Sequence, residues 1–225
     1  SSNYIFFQNK NNKNYFLDNK LCDLKKCILI PGSGIDLNFF LPQKFPNFPL
    51  VFLMSSRLLN EKGVIEYFKC ANIIKKKYSH IRFIFQYSLD KLSKDSINLA
   101  NLHSLNFNKH IEIYQSVEDI RDIMSKCHVF VLPSYHEGLP RTSIEALALG
   151  KPIITTDVPG CRETVLNNLN GYLVKDKNLF SLLKAMVKLI KNDKYLFKMS
   201  KESRNLAVKK FDYKIVNKII LSKLN

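Results

Sequence analysis

Short apolar segments recur along the chain, and their pattern constrains the fold more than any other feature of the sequence. Each is followed by turn residues and most lead into an amphipathic stretch. The segments are YIFF at 4–7, CILI at 27–30, LVFLM at 50–54, IRFIF at 81–85, IEIY at 111–114, HVFVL at 128–132 and PIIT at 152–155. Continuous apolar runs are typical of strands buried on both faces, and helical connections between them favour a parallel sheet. The sequence therefore predicts an α/β fold with a doubly wound, Rossmann-like parallel sheet.

Amphipathic segments between these strands predict helices over 64–78, 117–126 and 141–149. Beyond residue 178 the patterns are helical only, with an apolar stripe from Phe180 to Ile190 followed by helices over 195–210 and 213–224. We therefore expect the sheet to be followed by a helical C-terminal tail.

The segment LPQKFPNFP at 41–49 contains three prolines, which favour an extended linker over a regular element. We place a boundary there. Residues 1–40 are interpreted as the remnant of a preceding N-terminal domain and its junction. Residues 41–210 are interpreted as a Rossmann-like domain, and residues 211–225 as a C-terminal helix.

The charge balance is strongly basic, with 35 Lys and Arg against 19 Asp and Glu and a net charge of +16. Such a charge favours partners that carry phosphate, whether nucleic acid, a nucleotide or an anionic membrane surface. Lysines that repeat along the helices between 184 and 210 favour the membrane, while a general compositional bias toward Lys is the alternative. No helix-turn-helix, RNP-like or zinc pattern occurs, so we expect no nucleic-acid partner.

The five cysteines are scattered, with no Cys-x-x-Cys and no nearby pair of histidines, so the sequence supports neither a zinc site nor a disulfide framework and favours a reduced, cytoplasmic protein. No apolar run approaches the length of a membrane span, and the opening SSNYIFF does not resemble a signal peptide. No Asp-x-Asp occurs, so we expect no metal. Membrane contact would then be peripheral, on the inner face of the plasma membrane.

The segment HVFVLPSYHEGLPRTSIEALALG at 128–150 carries the first candidate site. It predicts a buried strand, a loop at the carboxyl end of that strand, and a helix whose first turn contains Pro140. The free N–H groups at the start of that helix, at residues 141–143, would form an anion site. Glu137 and Glu145 would flank this site and accept hydrogen bonds from sugar hydroxyls. The alternative for each is an ordinary structural glutamate.

A second candidate site follows the strand LVFLM, where SSRLLNEKG places Arg57 and Lys62 in the next loop and turn. In a parallel sheet this loop opens at the same edge as Glu137. Two cations there could neutralise a diphosphate, although both also fit a generally basic surface.

In this order, the motifs resemble those of the C-terminal, donor-binding half of bacterial family 4 glycosyltransferases, which are retaining enzymes with a GT-B fold. RLLNEKG at 57–63 and EGLPRTSIEALALGKPIITTDVPGCRE at 137–163 carry the resemblance, and PGSGIDLNFF at 31–40 resembles the family's interdomain junction. The resemblance implies a glycosyltransferase that moves a hexose or N-acetylhexosamine from a nucleoside diphosphate sugar, a UDP-sugar, with retention and without a metal. The acceptor implied is a surface-polysaccharide or lipid-linked glycan.

The resemblance also implies residue roles. Arg57 and Lys62 match the pair that holds the donor diphosphate as it leaves, Glu137 matches the glutamate near the transferred sugar, and Glu145 the one that binds ribose. The other matched positions contact the donor through main chain. Gly138, Leu139, Thr142 and Ser143 match the cradle of sugar and phosphate, and Tyr114 and Gln115 the place of the base.

The sequence departs from the family at two levels. Gln86-Tyr87-Ser88 replaces a Gly-rich turn after IRFIF, and Gln115 replaces a glycine. In addition, the family's complete enzymes have a whole N-terminal domain, of which residues 1–40 would be only the last part. The alternative to an enzyme is therefore a non-catalytic nucleotide-binding module that requires a separate acceptor-binding domain.

Overall fold

The computed structural model of the chain describes residues 3–90, 93–105 and 110–224, in which the strands form two parallel sheets. β1 (Ile5–Phe7) and β2 (Cys27–Leu29) form a two-stranded sheet. The other six strands form one sheet in the order β5-β4-β3-β6-β7-β8. They are β3 (Val51–Arg57), β4 (Arg82–Ser88), β5 (Ile111–Gln115), β6 (Val129–Leu132), β7 (Ile153–Thr156) and β8 (Gly171–Val174). All pairings are parallel, which confirms the doubly wound α/β fold.

Helices connect these strands and continue beyond the last one, as the sequence predicts. The α-helices are α1 (Lys10–Asp18), α2 (Val64–Lys77), α3 (Leu99–Leu105), α4 (Ile120–Ser125), α5 (Arg141–Ala148), α6 (Leu179–Lys191), α7 (Leu196–Leu206) and α8 (Tyr213–Leu224). α4 is shorter than predicted because Asp119 caps its start, accepting a hydrogen bond from the backbone N–H of Arg121. The helix predicted over 195–210 is α-helical only to Leu206 and continues as a π-helical turn over Ala207–Phe211.

Apolar layers cover both faces of the six-stranded sheet. On central strand β3, Phe52 and Met54 belong to the layer that contains α2 and α6, and Val51 and Leu53 to the layer that contains α5. All four side chains are fully buried. Burying a large apolar side chain contributes roughly 1.5–3 kcal/mol, so this strand needs apolar residues at successive positions and shows no alternation.

β8 is a strand that the sequence analysis does not predict. Its sequence GYLV follows the turn-rich NNLN and begins with a glycine, which masks a strand of four residues. Gly171 is required by packing, because a Cβ there would stand 1.7 Å from the carbonyl oxygen of Ile153 on β7. Because the close approach of two backbones requires a glycine at position 171, the sequence of β8 does not show the apolar pattern of a strand.

The N-terminal unit consists of β1, α1 and β2. It is attached to the six-stranded sheet through the segment that follows β2 and through the end of the chain. Ile35 forms a parallel bridge with Asp212, just before α8. The guanidinium of Arg204 donates to the carbonyl oxygens of Leu37, Phe40 and Ala148. Residues 41–49 form neither helix nor strand. None of the described helices is long and apolar enough to cross a bilayer.

Candidate active site

A cleft of about 370 Å³ opens at the carboxyl ends of β3 and β4, beside the start of α5. The chain winds from β3 outward to β5 and then from β6 outward to β8, so the direction of winding changes between β3 and β6. Parallel α/β sheets bind ligands at such a switch point. The polar residues that line the cleft include Ser55, Arg57, Gln86, Thr142 and Glu145.

The backbone N–H groups at the start of α5 are free hydrogen-bond donors beside this cleft. Pro140 precedes the helix in an extended conformation, with φ −70° and ψ 114°, so it lies just outside the first turn rather than in it. No side chain caps this end, and the N–H groups of 141–143 have no intrahelical partner. Ser143 is fully buried, and its Oγ has no hydrogen-bond partner within the described residues. These unpaired donors and the helix dipole favour the binding of an anion at the N-terminal end of α5.

Glu145 lies further along α5 and faces the same cleft. Only 7% of the residue is exposed, and its Oε1 accepts a hydrogen bond from Nε of Arg141 at 2.9 Å. Burial raises the pKa of the Glu145 carboxyl, and the neighbouring Arg141 opposes this shift. A buried carboxylate held at one oxygen can accept hydrogen bonds from vicinal hydroxyls of a ligand.

The two predicted cations are placed differently. Arg57 ends β3, is half exposed and lines the cleft, where its Nη1 lies 2.6 Å from Oδ2 of Asp90. Lys62 is buried, and its Nζ lies 2.9 Å from Oε1 of Glu137 and 3.2 Å from Oε1 of Glu61. Arg57 is thus the cation that faces the cleft, and Lys62 holds the side chain of Glu137.

A glycine brings Lys62 and Glu137 together. Gly63 adopts a left-handed conformation, with φ +73°, and a Cβ there would stand 2.2 Å from the carbonyl oxygen of Pro133. The turn after β3 therefore packs directly on the loop after β6. Any residue larger than glycine would push the two loops apart.

The loop after β6 is fixed on its other sides as well. The carbonyl oxygen of Gly138 accepts a hydrogen bond from Nδ2 of Asn9 at 2.8 Å, and Leu139 is buried. A Cβ on Gly160 would stand 2.5 Å from the carbonyl oxygen of Glu137. Contacts from two distant parts of the chain thus position Glu137 and the start of α5.

Tyr114 and Gln115 lie at the carboxyl end of edge strand β5. Oε1 of Gln115 accepts a hydrogen bond from the hydroxyl of Tyr87 at 3.2 Å, and Lys126 lies over the ring of Tyr114. These residues stand at the same edge of the sheet as the cleft, one strand beyond β4.

The structure adds two residues that the sequence analysis did not select. Ser55 and Gln86 are buried on neighbouring strands, and the Ser55 hydroxyl donates to Oε1 of Gln86 at 2.5 Å. A polar residue at the end of an apolar strand is the only sequence signal for either.

His136 is exposed beside Glu137. In the part of the chain that the structure describes, no group of three or more His, Cys, Asp and Glu could hold a metal.

Comparison with known proteins places this geometry in a family. The family model described as "Glycosyl transferases group 1" matches residues 39–206. A relative from Campylobacter jejuni, N,N'-diacetylbacillosaminyl-diphospho-undecaprenol alpha-1,3-N-acetylgalactosaminyltransferase, is 30% identical over 94% of this chain and 57% of its own. The Escherichia coli UDP-Gal:alpha-D-GlcNAc-diphosphoundecaprenol alpha-1,3-galactosyltransferase is 29% identical over 88% of this chain and 54% of its own.

Solved structures show the same fold. HepE from Anabaena in complex with UDP superposes with a TM-score of 0.87 at 17% identity, covering 99% of this chain and 64% of that one. The present chain thus spans about half the length of the curated relatives that it matches.

Proposed function

The chain belongs to the glycosyl transferases group 1 family, and from that membership we propose that it is the donor-binding half of a retaining glycosyltransferase. Its donor is a nucleoside diphosphate sugar, a UDP-sugar, from which a hexose or N-acetylhexosamine is transferred. The acceptor is a surface-polysaccharide or lipid-linked glycan. The protein works in the cytoplasm, at the inner face of the plasma membrane, together with an N-terminal domain of which residues 1–40 are the last part.

The observation that carries this proposal is the cleft at the carboxyl ends of β3 and β4. It combines the features that a nucleoside diphosphate needs. Arg57 and the free N–H groups at the start of α5 supply positive potential for phosphate, and Glu145 supplies a buried carboxylate for ribose hydroxyls. A solved structure of the same fold was obtained with UDP, which supports uridine as the base.

The proposed chemistry is transfer of the sugar: the bond from its anomeric carbon to the nucleoside diphosphate breaks, the acceptor hydroxyl oxygen bonds to that carbon from the same face, and the hydroxyl proton passes to the departing diphosphate. Negative charge grows on the diphosphate as the bond to the sugar breaks, so donors that already point at it stabilise the transition state. Arg57 and the α5 N–H groups are such donors. Removing one preorganised contact of this kind costs about 3 kcal/mol, or roughly a hundredfold in rate. Lys62 acts on this step by holding Glu137 beside the transferred sugar.

The proposed acceptor is supported by the names of two relatives, and the proposed contact with the membrane is supported by the surface of α6 and α7. Two relatives act, by their names, on sugars linked to undecaprenol through a diphosphate. In this chain, α6 and α7 expose lysines together with Phe180 and Phe197, whose exposed fractions are 74% and 68%. A basic surface with exposed aromatic rings suits an anionic lipid headgroup region, where each cation contributes about 1 kcal/mol.

Thermal unfolding with a panel of ligands tests the proposal. UDP at a hundred times its Kd should stabilise the folded chain by about 2.7 kcal/mol, which for a chain of this size raises Tm by roughly 5–10 °C. GDP and ADP should stabilise less, and uridine least, because it lacks the diphosphate. If no nucleoside diphosphate changes Tm at millimolar concentration, the proposal is wrong.

The alternative function is a nucleotide-binding module without activity of its own, which requires a separate acceptor-binding domain. An assay of sugar transfer distinguishes the two functions. A chain joined to an acceptor-binding domain should release UDP from a UDP-sugar and form an α-linked product, identified by the anomeric proton coupling. Binding of UDP without any transfer would favour the module.

A further inference from the structure

A cavity of about 120 Å³ lies where the N-terminal strand pair meets the loop after β6. Its walls come from distant parts of the chain. Gln8 follows β1, Ile30 follows β2, Leu139 precedes α5, and Lys210 and Phe211 lie in the π-helical turn. The apolar part of the lining comprises Leu29, Ile30, Pro31, Leu139 and Phe211, and the polar part comprises Gln8, Asn9, Lys10, Glu163 and Lys210.

The cavity is attached to the loop that carries Glu137. Asn9 is buried and its Nδ2 donates to the carbonyl oxygen of Gly138, so the start of α1 and this loop are joined. The preceding residue, Gln8, lies against the same glycine, and its Oε1 is 3.1 Å from the point where a Cβ of residue 138 would stand. Among the described residues, the Gln8 carboxamide has no hydrogen-bond partner, so both its donor and its acceptor are free.

The cavity and the nucleotide cleft lie on either side of the first turn of α5. Leu139 lines the cavity, whereas Thr142 and Glu145 line the cleft. Leu139 and Thr142 are only three residues apart, so their Cα atoms are at most roughly 11 Å from each other. A nucleotide with ribose at Glu145 and diphosphate at the helix start would therefore present its sugar to the cavity.

We propose that this cavity binds the acetamido group of the transferred sugar, so that the donor is a nucleoside diphosphate N-acetylhexosamine, and that Gln8 determines this specificity. The inference rests on the proposed function and narrows it. The methyl group would pack against Leu139 and Phe211. The amide N–H and C=O would pair with the Gln8 carboxamide, which offers both an acceptor and a donor.

The lining favours a neutral amide over other substituents. A hydroxyl in place of the acetamido group would leave the apolar wall against water, since the cavity is several times larger than the share of one water molecule, about 30 Å³. A carboxylate or phosphate would meet little free charge, because Lys210 forms an ion pair with Glu163 at the cavity wall. Lys10 is the remaining lysine of the lining and is exposed to solvent.

Calorimetric titration of the chain with five ligands tests the inference. The ligands are UDP, UDP-glucose, UDP-galactose and the two corresponding UDP-N-acetylhexosamines. In the unaltered chain, the N-acetyl donors should bind at least about tenfold more tightly than their hexose counterparts, because a site built for an apolar and hydrogen-bonding group discriminates by that order. In Gln8→Leu this ratio should fall toward one, while the Kd for UDP stays unchanged.

Asn11→Ala is the matched control, because Asn11 is an exposed amide in the same N-terminal unit and lies outside the cavity lining. It should keep the full preference for N-acetyl donors. Equal binding of N-acetyl and hexose donors by the unaltered chain overturns the inference, and so does a Gln8→Leu variant that keeps the preference. Loss of UDP binding in Gln8→Leu would show a general structural role for Gln8 and would also overturn it. Failure of the unaltered chain to bind UDP itself would instead refute the proposed function, and the inference with it.

Discussion

Lowering the pH below neutral should destabilise the folded chain through one buried histidine, His128. Its ring lies between Phe45 and Phe48 of the proline-rich segment, with centroid distances of 5.4 and 4.9 Å. Nδ1 accepts a hydrogen bond from the backbone N–H of Val51 at 3.1 Å, so a proton on Nδ1 would break that bond. Burial, helped by the charge of Lys151, lowers the pKa of His128 from 6.5 to about 4.

The sign and the size of the effect follow from this pKa. Between pH 6.5 and about 4 the unfolded chain binds a proton at this residue and the folded chain does not. The stability that the neutral ring provides is therefore complete above pH 6.5 and is lost as the pH falls toward 4. A pKa lowered from 6.5 to about 4 corresponds to about 3 kcal/mol of unfolding free energy.

Urea unfolding at pH 7, 5.5 and 4.5 measures this contribution. His128→Asn keeps an acceptor for the Val51 N–H but cannot take up a proton, so the unaltered chain should lose about 2 to 3 kcal/mol more than this variant between pH 7 and 4.5. His80→Asn, at an exposed position, should follow the unaltered chain. If His128→Asn loses as much stability as the unaltered chain over this range, the argument from burial is refuted.

Three further predictions concern ligands. Arg57→Ala should weaken UDP binding by at least about tenfold while changing uridine binding little, because Arg57 faces the cleft in which the diphosphate is proposed to bind. Lys62→Ala should weaken UDP binding less than Arg57→Ala does, because Lys62 pairs with Glu137 and does not line the cleft. Arg82→Ala, a half-exposed and carboxylate-paired arginine at the opposite end of the sheet, should change neither Kd. Equal losses for UDP and uridine in calorimetry would contradict the assignment. Glu145→Gln should weaken UDP binding but hardly affect binding of its 2′,3′-dideoxy analogue. Glu112→Gln, at a partly exposed glutamate outside the cleft lining, is the control. Parallel losses for both ligands would make Glu145 merely structural. The chain should sediment with anionic vesicles and not with neutral ones, and added salt should release it; binding that salt does not weaken, or no binding at all, would remove the basic surface from the proposal.

The sheet was predictable because its information is local. Strands such as β3 and β6 are buried on both faces, so each appears in the sequence as an unbroken apolar run. The place of the cleft follows from the same pattern, since parallel strands bring their carboxyl ends to one edge. β8 was not predictable in this way, because Gly171 is selected by contact with Ile153 on another strand.

The side-chain partners within the site were beyond sequence reasoning for a related reason. Lys62 and Arg57 are five residues apart and look alike in the sequence. The turn after β3 packs on the loop after β6 through Gly63 and Pro133 and through hydrogen bonds to the carbonyl oxygen of Glu61, and this packing places Lys62 beside Glu137 while Arg57 lines the cleft. Such contacts join loops that are distant in the chain, so no local pattern records them.

A crystal structure of the chain with UDP would test the central proposal most directly. The proposal predicts that the diphosphate lies at the N–H groups of 141–143 with Arg57 beside it, and that the Glu145 carboxylate accepts hydrogen bonds from both ribose hydroxyls. UDP bound elsewhere on the chain, or bound in the cleft with its base at α5 and its phosphates turned away from Arg57, would contradict it.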